Sequence, residues 1–189
     1  MRTVKLTQPD AWQQIPPTGP VRPWITDRDS LTARIMHHFP DFNLVRVGQR
    51  LAVPLADERR VLNLRASEFA LVREVILRSG NTPLVFAHTA VNPRDLSGAW
   101  RGLSRLGSRP LAEMLFHDPL VSRMPIEYRK LPRGHALLRS AGIDVTTWAR
   151  RSVFLKRRQP ILVTEVFLPG ASTEDIIQFI QKNVNPREL

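Results

Sequence analysis

"EFALVREVILRSGNTPLVFAHTAVNP", residues 68 to 93, carries two extended apolar runs on either side of "SGNT". Two such runs joined by Gly-Asn turn chemistry are a strong hairpin signal and predict a pair of antiparallel strands. Side chains alternate along a strand, so in "LVREVILR" Arg73, Val75 and Leu77 share one face and Val72, Glu74, Ile76 and Arg78 the other. Arg73 therefore stands on the less polar face, where a guanidinium needs a partner.

A second run, "ILVTEVFLP" (161 to 169), raises the complementary question. Alternation groups Ile161, Val163, Glu165 and Phe167 against Leu162, Thr164, Val166 and Leu168, so both faces are apolar and Glu165 is expected to be buried. A buried arginine and a buried glutamate admit two arrangements. They pair with each other as a structural salt bridge, or they sit at opposite ends of a cavity and each receives part of a ligand.

Around these runs the signals are mixed. Residues 1 to 25, rich in Pro and Gln, read as an irregular N-terminal arm, and 26 to 189 as one domain. "TDRDSLTARIMHHFP" predicts a helix capped at Asp29 or Ser30 and stopped by Pro40. "FNLVRVGQRLAVPL" and "RRVLNLRAS" read as strands, the first with a glycine that permits a bulge. "PRDLSGAWRGLSRLG" and "SRPLAEMLFHD" read as short helices, "MPIEYRKL" as a strand and "LPRGHALLRSAGID" as a loop or short helix. "VTTWARRSVFLKRRQPILVTEVFLP" predicts a second hairpin turning near Arg158 to Pro160, and "STEDIIQFIQKNV" a capped C-terminal helix. Hairpins with helices gathered between them, without regular strand–helix alternation, predict an α+β fold: a single antiparallel sheet with helices on one side.

At 189 residues and 42% apolar content the chain can bury one ordinary core. It has no cysteine, so disulfides and thiolate metal sites are excluded and a reducing compartment is the natural reading. The N-terminus lacks an apolar signal region, and no stretch approaches the ~20 apolar residues of a membrane span, which predicts a cytoplasmic protein without membrane insertion. The net charge is +11, with 28 Lys and Arg of which only residues 5, 130, 156 and 182 are lysine. Such a balance suits an anionic partner. The cations are scattered, however, and neither a basic recognition helix nor aromatic stacking platforms accompany them, which argues against nucleic acid. No nucleophile elbow, phosphate-binding glycine loop or metal-spaced histidine pair is present. No metal or cofactor is expected.

The pieces resemble the chorismate lyase family. The resemblance rests on an ordered series: "DSLTARI" (29 to 35), "VREVIL" (72 to 77), "TAVNPRDLSG" (89 to 98), "LGSRPLAEMLF" (106 to 116), "WARRS" (148 to 152) and "LVTEVFLP" (162 to 169). It implies a chorismate lyase-like fold and an enzyme, a carbon-oxygen lyase, that splits chorismate into 4-hydroxybenzoate and pyruvate at the entry to ubiquinone synthesis. It also implies site residues. Arg73 holds the ring carboxylate, Glu165 meets the hydroxyl end and donates a proton to the departing enolpyruvate, and main-chain groups of Leu31 and Leu111 complete the site. Arg150 or Arg151 is the expected partner of the enolpyruvyl carboxylate. A lid from the 106 to 118 region and slow product release follow, and the chain is expected to be a monomer. Leu31 stands where the family has methionine, His88 replaces an expected arginine, and 131 to 144 reads as an insertion. The same fold also serves as the effector-binding domain of GntR-type regulators, so a non-catalytic module for aromatic carboxylates is the alternative.

Overall fold

Gly80 takes a positive φ of 54° in the tight turn that joins β2 (Ala70–Ser79) to β3 (Thr82–Val91), the hairpin expected at residues 68 to 93. The computed structural model describes residues 11 to 19 and 21 to 168; the expected C-terminal helix lies outside them. In front of the hairpin come α1 (Arg22–Ile25), α2 (Leu31–His38), β1 (Phe42–Ala52) and α3 (Ala56–Val61). After it come two 3-10 turns, Pro93–Ser97 and Leu103–Arg105, then α4 (Ala112–Phe116), β4 (Val121–Arg123), β5 (Glu127–Leu131), α5 (Ala136–Ser140), β6 (Thr147–Lys156) and β7 (Gln159–Phe167). All the strand pairs are antiparallel, in the order β1-β2-β3-β7-β6-β4, with β5 also paired to β6.

Two local expectations fail for identifiable reasons. "RRVLNLRAS" is no strand: Arg59 to Val61 finish α3, and Asn63 ends the helix with a φ of 54°, a left-handed cap that asparagine tolerates. The last residues of the arm form α1, which buries Trp24 and Ile25, and Gln13 bridges to Tyr128 of β5. Gly48 does sit at a bulge, between Arg46 and Gly48 of β1.

The class and the single antiparallel sheet are as expected, but the helices do not keep to one side. Leu31 and Ile35 of α2 pack with Val75, Leu77, Val85 and Phe167, and Leu111 and Leu115, at the start of α4 and within it, pack with Leu71, Val91, Phe154 and Ile161. These strand residues share one face, called here the front. Leu137 and Leu138 of α5 pack instead on Phe86, Ala149 and Val166 of the back face, where Leu62 covers Val72, Ala90 and Leu162. Both faces of β2, β3 and β7 are buried, which explains why their sequences run apolar on both sides.

Candidate functional site

The strand register builds a floor on the front face. One transverse row runs Arg73, Thr89, Val163, Ser152, and the next runs Val75, Ala87, Glu165, Arg150. These residues line a cavity roofed by Ser30, Leu31 and Thr32 of the α2 start and by Leu111, Ala112, Leu115 and Phe116 around α4. Its walls are mainly apolar; the charged residues lining it are Arg73, Arg123, Arg150 and Glu165.

Arg73 is 2% exposed. Its Nη2 donates to the carbonyls of Gly107 (3.1 Å) and Arg109 (3.0 Å), while its Nε is buried without a partner. Burial, aided by the like charge of Arg46, lowers its pKa to about 10, so it stays cationic at neutral pH. Among the described residues no carboxylate lies within ion-pair distance of it. The pairing alternative left open for Arg73 and Glu165 is thus not the arrangement found.

Glu165 pairs with a different arginine: Arg150 Nε donates to Glu165 Oε2 at 2.6 Å. Arg150 Nη1 is also occupied, donating to the carbonyls of Trp24 and Ile25 (both 3.3 Å) and of Asp27 (2.7 Å). The residues in and after α1 thereby fix Arg150, and Arg150 fixes Glu165. A neighbour in sequence cannot share this role. Arg151 points to the back face, where its Nε donates to Glu127 (2.7 Å) and its Nη1 to Asp57 (2.7 Å), because adjacent residues of a strand face opposite ways. It lies outside the cavity, which corrects its placement among the ligand-binding candidates.

Leu31 and Leu111 both line the cavity. Leu31 is the first residue of α2, capped by Ser30, whose Oγ accepts from Ala33 N at 3.1 Å; a first-turn amide of this kind has no partner within its own helix. Arg123 was not anticipated. It belongs to the three-residue β4, too short to show any periodicity, and nothing in its local sequence marks it. Ser152 was findable, since alternation puts it beside Arg150 on the front face.

His88, where the resemblance leads one to expect an arginine, sits on the back face and is 6% exposed. Its Nδ1 is 3.2 Å from Glu74 Oε1 and its Nε2 is 3.2 Å from Glu58 Oε1. Burial alone depresses the imidazole pKa, but the two carboxylates outweigh it and raise the value to about 9. Hydrogen bonding from His88, against the effect of burial and with help from Arg50, brings Glu74 down to about 2.

Among the described residues no group of acidic and histidine side chains is placed to hold a metal, and no helix is long and apolar enough to cross a membrane. A family model described as "Chorismate lyase" matches residues 2–176. A protein of Nitrosomonas eutropha named "Probable chorismate pyruvate-lyase" is 47% identical over 174 residues, covering 88% of this chain and 98% of that one. One of the same name from Aromatoleum aromaticum is 42% identical over 171 residues, covering 85% and 92%. Among solved structures, "Crystal structure of PhnF C-terminal domain" is similar with a TM-score of 0.50 at 13% identity, over 66% of this chain and 81% of that chain. That likeness concerns the fold.

Proposed function

The chain belongs to the chorismate lyase family, a family of lyases, and on that premise we propose that it cleaves chorismate to 4-hydroxybenzoate and pyruvate. One observation carries the reading: a buried arginine with no carboxylate partner among the described residues and a half-buried glutamate face the same apolar-walled cavity from β2 and β7. With β3 between them, their strand positions are two spacings apart, about 10 Å. Side chains reaching inward from both roots leave a span that suits a six-membered ring with substituents at para positions.

Arg73 holds the ring carboxylate through charge-assisted hydrogen bonds, its unpartnered Nε included. The opposite end of the ring, carrying the C4 hydroxyl and the C3 enolpyruvyl ether, lies at Glu165. The C4 hydrogen leaves as a proton, its electron pair forms the ring double bond, and the C3–O bond breaks towards enolpyruvate. Glu165, in contact with this end, passes the proton to the departing group, which ends as pyruvate. Substrate atoms are conserved between the two products, and aromatisation drives the step. Arg150 orients the Glu165 carboxylate through the 2.6 Å bond. Apolar walls and fixed guanidinium groups contribute positioning and electrostatic stabilisation.

In the same proposal 4-hydroxybenzoate feeds ubiquinone synthesis, as the family resemblance implies, and the enzyme is a cytoplasmic monomer. Leu111, Leu115 and Phe116 at the roof act as the lid, so product leaves slowly. Stopped-flow release of 4-hydroxybenzoate much faster than turnover contradicts the lid. The test of the reaction is to incubate the purified chain with chorismate and follow both products by chromatography. Equimolar 4-hydroxybenzoate and pyruvate are expected. Tight binding of 4-hydroxybenzoate with no turnover points instead to a sensor of aromatic carboxylates.

A further inference from the structure

The charged groups lining the cavity do not balance. Three are cationic (Arg73, Arg123 and Arg150) and one is anionic, Glu165. Arg150 and Glu165 compensate each other at 2.6 Å, which leaves Arg73 and Arg123. Arg123 Nε donates to Ser152 Oγ at 2.9 Å, and its Nη1 donates to the carbonyls of Arg28 (2.6 Å) and Asp29 (3.4 Å). Its guanidinium also lies over the rings of Phe116 and Phe154, 5.6 and 5.2 Å from their centroids. Each of these partners is neutral. The side chain is held in place, faces the cavity, and has no carboxylate within ion-pair distance among the described residues.

Two uncompensated arginines in one cavity fit a ligand with two carboxylates, and chorismate has two. Strand order decides which arginine takes which. Arg73 lies on β2 and Arg123 on β4, with β3, β7 and β6 between them, so Glu165 on β7 stands in the middle. With the ring carboxylate at Arg73 and the C4 end at Glu165, the C3 side chain extends across β6 towards β4. We propose, building on the lyase reading above, that Arg123 holds the carboxylate of the enolpyruvyl side chain and thereby sorts the dianionic substrate from monoanionic aromatic acids. Arg150, with Nε and Nη1 already committed to Glu165 and the backbone, serves instead to orient Glu165.

The test compares chorismate KM with the inhibition constant of 4-hydroxybenzoate in the wild type, R123Q and R123K. R123Q is expected to raise the chorismate KM ~10–100-fold, the worth of a charge-assisted contact, and to leave the 4-hydroxybenzoate constant within ~3-fold, since that product lacks the side-chain carboxylate. R123K keeps the charge but loses the fork, so it raises KM by a smaller factor with the 4-hydroxybenzoate constant again unchanged. Equal rises in both constants, or an unchanged chorismate KM in the two variants, overturn the assignment. If R123Q does not fold, the same two constants measured on R123K decide. A wild-type chain that leaves chorismate intact defeats the lyase reading itself, whereas an active wild type with indifferent Arg123 variants defeats only this inference.

Discussion

On the back face of the sheet His88 is set between Glu58 and Glu74, Glu74 also meets Arg50 at 2.7 Å, and Arg151 meets Glu127 and Asp57. On the front face, a strand's thickness away, Arg73 and Arg123 are buried or half-buried against carbonyls, a hydroxyl and aromatic rings. Buried charge that is internally compensated contributes to structure, at a desolvation cost that its partners offset. A buried cation with only neutral partners costs the folded state more than it returns, unless a ligand supplies the anion. The contrast separates charges compensated within the fold from charges left for the proposed ligand, although both kinds occur on the same strands.

Substitutions of the uncompensated front-face cations should therefore damage function and spare stability, while the largest effect on turnover is expected at Glu165, whose pair with Arg150 is the compensated exception on this face. E165Q keeps the shape and removes the proton carrier, so kcat should fall ~10²–10⁴-fold, and because it leaves the buried Arg150 without its carboxylate the thermal midpoint should fall as well. A variant with kcat intact removes Glu165 from the chemistry. Next comes R73M, which should abolish measurable 4-hydroxybenzoate binding in calorimetry and leave the melting temperature unchanged or higher, since it removes a buried uncompensated charge. A large drop in melting temperature with binding preserved breaks the comparison on this side.

Back-face substitutions should do the reverse. H88Q removes the cation shared by Glu58 and Glu74, leaving Glu74 only Arg50, and is expected to cost ~3 kcal/mol of stability by denaturant titration, with kcat/KM of the folded fraction unchanged. The pH dependence sharpens this. His88 has a folded pKa of about 9, above the ~6.5 of an unfolded histidine, so its stabilisation is complete below ~6.5 and is lost as pH rises through the folded value. Glu74, depressed to about 2, contributes above the ordinary glutamate pKa of ~4.3 and loses that contribution as pH falls through about 2. Melting temperatures should therefore decline from pH 6.5 to 9.5 in the wild type and flatten in H88Q; equal slopes contradict the pairing. R151Q is the smallest effect. Its partners Asp57 and Glu127 have side chains 38% and 33% exposed, so the loss should stay under ~1 kcal/mol, with no change in turnover.

The sequence made some of this contrast legible. Period-2 alternation in β2 and β7 is enough to find Arg73 and Glu165 and to put each on an apolar face, because both strands are long and covered on both sides. Their relation was not legible, for a local reason. The β6–β7 turn is made by Arg157 and Arg158, at φ of 50° and 65°, a conformation usually signalled by Asn or Gly. Two arginines give no such sign, and a turn placed at Arg158 to Pro160 shifts the register that sets Arg150 opposite Glu165. Arg123 was invisible because β4 has three residues, and α3 was mistaken for a strand because Val61, Leu62 and Leu64 look alternating until the Asn63 cap interrupts them. Backbone pattern reveals what lies on long strands; charges brought in by short segments emerge only from the folded arrangement.

In the proposed mechanism the Arg73 guanidinium is where an aromatic carboxylate binds. Calorimetric titration of 4-hydroxybenzoate into the wild type, R73Q and R151Q at pH 7 tests it directly. Binding that is equal in the wild type and R151Q and lost in R73Q is the predicted result; binding that survives R73Q, or that fails in a folded R151Q, contradicts it.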